Sequence, residues 1–340
     1  MKRKDTFPFT AIIGQEDMKK ALVLNVVNPR LGGVLIQGEK GTAKSTAVRA
    51  LADLLPPRQC IQGCRFHDDP KDKSNWCDEC HEKYDNAEPP VEELPMKVVE
   101  LPVSATEDRV VGTLDIEAAI KEGKRSFETG ILADANRNIL YVDEINLLDD
   151  HVVDVLLDSA AMGINTVERE GISYSHPARF SLVGTMNPEE GDIRPQLLDR
   201  FALSVYVAGE KDLDRRAEVI KRRLSYEDDA EAFVAQWAEE QKNEVHRIQR
   251  AMKLLPQVTT SNDILRMAAS ISIALEVDGH RADITLIKTA ETLAAVDGRT
   301  ETTKEDLREA ARLALPHRMR RRPFEEQKLD WETVDKVIDA

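Results

Sequence analysis

The chain has 340 residues, a formal net charge of −15 with a pI near 5.1, and is 41% hydrophobic, 32% charged and 5% aromatic. That length accommodates two domains, each with its own core, and the acidic balance argues against general affinity for nucleic acid or an anionic membrane surface. No stretch approaches the roughly 18 consecutive apolar residues of a membrane-spanning helix, and the basic start Met1-Lys2-Arg3-Lys4 leads into no apolar segment, so a cytoplasmic protein is expected.

Short apolar runs recur through the first two-thirds of the chain: Val34–Gln37, Lys97–Leu101, Ile139–Val142, Phe180–Gly184 and Leu203–Val207. Helical patterns lie between several of them, which predicts an α/β fold with a parallel five-stranded sheet covered on both faces. The first run leads into Gly38, Glu39, Lys40, Gly41, Thr42, Ala43, Lys44, Ser45 and Thr46, at the head of a helix predicted over 44–55 and stopped by Pro56-Pro57. Turn amides and the positive end of the helix converge there on an anion. Lys44 adds a full charge for the β- and γ-phosphates of a nucleotide, and the Ser45 hydroxyl suits magnesium. The pattern G-x-x-x-x-G-K-[ST] is matched except that Ala43 replaces its second glycine; Gly41 still supplies freedom two residues earlier.

Residues 58–96 break the alternation of strand and helix. They hold all four cysteines and read as an insertion. A second insertion is expected at 163–178, where alternation around Gly171 suggests a hairpin. Between the two, the run Ile139–Val142 ends in Asp143-Glu144: Asp143 suits a magnesium contact and Glu144 a base that orients and activates water. The next run ends in Thr185-Met186-Asn187-Pro188, which offers the Asn187 amide to the attacking water. Arg200 is the candidate for stabilising charge on the transferring phosphoryl group, with Arg194 second.

Beyond Gly209 the pattern turns helical, with helices predicted over 212–224, 228–255, 261–275, 284–297 and 303–315. The expected division is a nucleotide-binding domain over 1–208, a helical linker over 209–245 and a helical lid domain over 246–340. Arg281, at the start of a lid helix, is placed to touch the γ-phosphate and report it to the lid.

Taken together these residues resemble the AAA+ ATPases. The runs Thr106–Asp115, Tyr141–Leu157 and Gly184–Gly191, on through Asp199-Arg200-Phe201, resemble the ATPase subunit I family of magnesium chelatase, and the likeness extends from Ile13-Gly14-Gln15 to the Arg281 helix. The resemblance implies a P-loop core with a C-terminal all-helical lid and ATP–Mg²⁺ held by Lys44 and Ser45. Asp143 and Glu144 become the acidic pair, Asn187 the first sensor, Arg200 a finger reaching a neighbour's site, and Arg281 a second sensor for its own or a neighbour's nucleotide. Ile12, Ile13 and Gly14 line the adenine pocket in this reading. It also implies a homo-hexameric ring, a second AAA+ subunit with an integrin-like metal-binding domain, and a large porphyrin-binding subunit. In such a complex ATP hydrolysis drives Mg²⁺ into protoporphyrin IX, towards chlorophyll-type tetrapyrroles.

Cys60-x₃-Cys64-x₁₂-Cys77-x₂-Cys80 is the departure from that pattern. Two close cysteine pairs read most simply as tetrahedral zinc on four thiolates, with an iron–sulfur cluster as the alternative and His67 and His81 as spare ligands. Such an insertion leaves room for other readings: a cobaltochelatase-like or other tetrapyrrole chelatase, a MoxR-like remodelling complex, or an adaptor in which nucleotide only controls assembly. A DNA-dependent motor is disfavoured by the charge. The basic run His317–Arg322 is expected to be a solvated helix end or a contact with an acidic neighbour.

Overall fold

The computed structural model describes residues 6–115, 126–169, 172–319 and 330–339. In chain order the strands are β1 (Val34–Gly38), β2 (Arg58–Ile61), β3 (Val91–Leu94), β4 (Val98–Leu101), β5 (Gly112–Asp115), β6 (Ser126–Thr129), β7 (Ile139–Val142), β8 (Ile164–Arg169), β9 (Ile172–Pro177), β10 (Ser181–Met186) and β11 (Leu203–Val207). Five of them form one parallel sheet in the order β11-β1-β10-β7-β4, and these are the five apolar runs. Val34 of β1 lies opposite Val183 on one side and Leu203 on the other. The strands are apolar throughout because both faces are covered. Val34 and Ile36 point into one core and Leu35 into the other, as the two-residue period requires.

The two cores are where the structure departs from a picture of separately built domains. Ile264, Ala268, Leu286, Ala290, Leu307, Leu315, Val334 and Ile338 of the C-terminal helices belong to the same cluster as Val34, Ile36 and Leu203 of the sheet. The lid therefore shares a core with one face of the sheet, through the helix Glu16–Val27, whose Met18, Leu22 and Leu24 are fully buried. The opposite face is covered by the helix Asp150–Met162 together with Ile61, Phe66, Trp76, Cys77 and Cys80 of the cysteine segment and Val167 and Tyr174 of the β8–β9 pair. The segment over 58–96 is thus part of a core. Its antiparallel strands β2 and β3 and the short helix Asp78–Tyr84 carry too few residues to show periodicity.

The helices Lys44–Leu54, Asn262–Ala274 and Lys304–Ala314 lie close to their predicted bounds, the last with a reciprocal Thr303–Asp306 capping box. Three differences have local causes. The helix Leu213–Asp228 outlasts Leu224 and ends where Asp229 caps the next helix through the Ala232 N–H. The single helix expected over 228–255 is broken into Ala230–Gln236 and Ala238–Leu254 at Trp237, whose ring takes the Arg222 guanidinium at 4.6 Å. The helix expected from Ile284 begins at Arg281. No helix among the described residues is long and apolar enough to cross a membrane.

Candidate functional site

A cavity of about 850 Å³ opens at the carboxyl ends of β1, β7 and β10, where open parallel sheets place their ligands. The loop after β1 supplies Lys40, Gly41, Thr42, Ala43, Lys44, Ser45 and Thr46; the loop after β7 supplies Asp143 and Glu144; β10 supplies Thr185 and Met186, with Asn187 following. Ile12 and Ile13 line the far wall, and Gly14, at φ 67°, turns the chain between Ile13 and Gln15.

Local backbone chemistry explains the loop. Gly38 has φ 139°, and a Cβ there would stand 1.9 Å from the Val207 carbonyl oxygen, so the end of β1 reaches the end of β11 only without a side chain. Ala43 takes the left-handed conformation, φ 62°, directly before the helix Lys44–Leu54, at the place the sequence pattern reserves for glycine. Lys44 Nζ donates to the carbonyls of Gly38 and Glu39 at 2.6 and 3.2 Å. Burial lowers the Lys44 pKa, and Asp143 and Glu144 oppose that shift. Lys40 is exposed and bridges Glu190 at 2.5 Å and Glu144 at 3.6 Å; the bond to Glu190 raises its pKa.

The acidic pair is held by a residue that motif reading passed over. The Thr185 hydroxyl donates to Asp143 Oδ1 at 2.5 Å and accepts the Glu144 N–H at 3.2 Å. Tyr141 donates to the same Asp143 oxygen at 2.9 Å, and burial pushes its phenol up. Glu144 itself sits at φ 53°, which turns the chain sharply at the strand end. Asn187 is mostly buried on the cavity wall, with its Oδ1 accepting the Glu189 N–H at 3.3 Å. Phe7, Arg216, Arg222 and Arg223 also line the cavity. The Arg215-Arg216 and Arg222-Arg223 pairs on a highly charged predicted helix were the available signal for that wall; Phe7 left none.

Three predicted arginines, Arg200, Arg194 and Arg281, lie outside the cavity lining. Arg200 does not line the cavity of its own chain; it pairs with Asp154 and, at 3.0 Å, Asp158 on the helix Asp150–Met162. Arg194 pairs with Asp150 at 2.5 Å. Arg281 is held at 2.5 Å by Asp199, and Arg318 reaches the same carboxylate at 3.2 Å. Arg318 also donates to the carbonyls of Asp199, Phe201, Ala202 and Ala314, and His317 meets the Phe201 carbonyl at 2.9 Å. His317 and Arg318 are buried, so the expected solvated end is, at these two residues, a seam between lid and sheet. Arg320, Arg321 and Arg322 lie outside the described residues.

The four cysteines do not converge. Cys64, Cys77 and Cys80 come together with Asp68, their ligand atoms within 4.8 Å of one another, a set able to hold a metal ion. Cys60 is in β2 opposite Glu92, its sulfur facing the Arg58 carbonyl at 3.9 Å and Arg137 at 3.7 Å. The expected four-thiolate set is corrected accordingly: the strand fixes Cys60 away from the group, and a carboxylate takes the fourth place. The thiol–thiol hydrogen bond between Cys64 and Cys77 draws the first thiol down and pushes the second up; burial pushes Cys80 up. His67 and His81 lie outside the group, His81 beside Asp85 at 3.1 Å.

Comparisons with known proteins point the same way as the geometry. The AAA domain of the dynein-related subfamily matches residues 91–201, and the AAA lid domain matches residues 265–339. A magnesium-chelatase subunit ChlI homolog of Methanocaldococcus jannaschii is 57% identical over 98% of this chain and 91% of its own length. The magnesium-chelatase subunit ChlI of a Nostoc species is 50% identical over 95% of this chain and 87% of its own. A cryo-EM-based structure of the complex between subunits BchI and BchD of magnesium chelatase superposes with a TM-score of 0.56 at 46% identity, covering 98% of this chain and all of that one.

Proposed function

The chain belongs to the magnesium-chelatase subunit I family of AAA ATPases, and from that premise we propose that it is the ATP-hydrolysing motor subunit of a magnesium chelatase, coupling hydrolysis to insertion of Mg²⁺ into protoporphyrin IX. The observation that carries the reading is the convergence of Lys44, Ser45, Asp143, Glu144 and Asn187 on one cavity at the strand ends.

The donor set fits ATP–Mg²⁺. Gly41 is backed by open space, residues 40–46 line the cavity where the helix Lys44–Leu54 begins, and among the described residues the Lys44 ammonium is bonded to two loop carbonyls and to no carboxylate. Lys44 and the loop would hold the phosphates, and Ser45 and Asp143 would supply oxygen ligands to the metal. Bound Mg²⁺ would supply neutralisation of phosphate charge. Thr185 fixes Asp143 and the Glu144 backbone together, so the two carboxylates keep separate tasks. Glu144 accepts a proton from the attacking water, which Asn187 orients. Ile12 and Ile13 supply the apolar wall for adenine, with Phe7 beside them.

Arg200 stands away from its own cavity, which supports a role as a finger in a neighbour's site within a homo-oligomeric ring, a hexamer by family resemblance. Arg281 joins lid to core at Asp199, beside that finger. The further partners in this reading are a BchD-type AAA+ subunit with its integrin-like domain, and a large porphyrin-binding subunit. The test is Glu144→Gln: ATP binding stays intact, and turnover of the assembled protein falls by about 10²–10⁴. Normal turnover by that variant would refute the assignment of the base.

A further inference from the structure

The cysteine segment holds a constellation that the nucleotide cavity does not use. Cys64, Asp68, Cys77 and Cys80 present three sulfurs and a carboxylate oxygen within 4.8 Å of one another; Asp68, Cys77 and Cys80 are buried and Cys64 partly so. The dimension is that of a single ion. A zinc–sulfur bond of about 2.3 Å in a tetrahedron places two sulfurs about 3.8 Å apart, and the sulfurs of Cys64 and Cys77 are 3.9 Å apart. An iron–sulfur cluster puts several atoms between its thiolates and spreads them wider.

Asp68 supplies a second, independent observation. It is 1% exposed; its Oδ2 accepts the Cys77 N–H at 2.7 Å, while its buried Oδ1 has no hydrogen-bond partner among the described residues. A buried ionised carboxylate is paired or coordinates a metal. The chain is also shaped around the sulfurs. The Phe66 N–H points to Cys64 Sγ at 3.4 Å, and Cys77 and Cys80 sit three residues apart where the helix Asp78–Tyr84 begins.

We propose that Cys64, Cys77, Cys80 and Asp68 bind one zinc ion through three thiolates and a carboxylate, and that this ion cross-links residues 64–80 and so fixes the surface that the cysteine segment packs against the rest of the second core. All four positions come from the protein, which is the arrangement of a structural site. On binding, each thiol proton passes to solvent, three per ion, and three Zn–S bonds and one Zn–O bond form without redox change. The neighbours of these residues carry the constraint outward. Phe66, fully buried, stacks on His176 of β9 at 4.6 Å; its carbonyl accepts Asn136 Nδ2 at 2.6 Å, and Arg65 donates to the Phe127 carbonyl of β6 at 2.8 Å.

The inference stands apart from the ATPase reading, and its test separates the two. Metal analysis of the full chain, purified without chelator, is expected to give one zinc per chain. Cys64→Ser, Cys77→Ser and Cys80→Ser each lose it, Asp68→Ala weakens retention at least tenfold against a competing chelator, and Cys60→Ser keeps it in full. A cysteine variant that fails to fold would also lose metal, so two measurements use the unaltered chain. Its cobalt(II) form should show tetrahedral bands with charge transfer from three thiolates. Removing zinc should speed hydrogen exchange in 58–96 and 164–177 while ATP binding is retained. Loss of metal in Cys60→Ser with Asp68→Ala unaffected, stoichiometric iron with sulfide, no uptake of zinc or cobalt, or exchange unchanged in those segments would each overturn the proposal.

Discussion

Two charged clusters of this protein differ in how completely their charges are satisfied. Around the nucleotide cavity Lys40, Asp143 and Glu144 face an open volume, and among the described residues Lys44 is bonded to two loop carbonyls and no more. At the seam between lid and sheet, Arg318 is buried and saturated, with one carboxylate and four carbonyl oxygens around it. The desolvation cost of a buried guanidinium is offset only when its donors are all taken, whereas a cation meant for a ligand must keep donors available. Burial still lowers the Arg318 pKa to about 10, with Asp199 opposing. The lesson is that the cavity's charges act on what enters, and the seam's charges hold the fold.

That contrast breaks most decisively at Arg200, which is charged, 28% exposed and outside its own cavity. If Arg200 is the finger proposed above, Arg200→Ala is expected to cut turnover of the assembled protein by about 10³–10⁵ with the unfolding midpoint nearly unchanged; equal losses of stability and activity would move Arg200 to the seam class. Arg318→Leu should do the reverse. It leaves several carbonyls without a donor and is expected to cost about 3 kcal/mol of stability, read by chemical denaturation, with ATP affinity of the remaining folded protein preserved.

Acid sharpens the comparison further. His317 and His176 are both held below the ordinary histidine range, His317 far below, by burial in each case. The unfolded chain takes up protons near pH 6.5 that the folded one refuses. Their contribution to stability is therefore full above that pH and is lost as pH falls below it. Urea midpoints should drop between pH 7 and pH 5, and His317→Gln, which keeps a donor for the Phe201 carbonyl, should flatten that drop. The smallest effect belongs to the loop: Ala43→Gly relieves a left-handed alanine worth roughly 1–2 kcal/mol and adds glycine's unfolded-state entropy of roughly 0.5–1 kcal/mol. A gain below about 1 kcal/mol with turnover within twofold is expected, measured by denaturation and steady-state hydrolysis.

The same comparison explains what could be read from the residues. The five sheet strands were legible because burial on both faces demands continuous apolar runs, and the cavity's loop and acids because phosphate and magnesium restrict which residue types serve. Thr185 was missed because a threonine at a strand end is ordinary until its hydroxyl is seen between Asp143 and Glu144. The shared core of lid and sheet was hidden because amphipathic helices do not say which surface they cover. Cysteine spacing suggested four thiolates, yet strand pairing holds Cys60 apart and Asp68, one acid among many, fills the place. His317 and Arg318 looked solvated because a run of bases carries no mark of the carbonyls that wait for it.

Asp199 and Arg200 share a peptide bond, and Asp199 is gripped by Arg281 from the lid and by Arg318 from the seam. Any displacement of the C-terminal helices against the sheet therefore loads the Asp199 carboxylate first, and the shared peptide bond hands that load to Arg200. One side chain is the hinge pin between the lid and the turn that leads into β11.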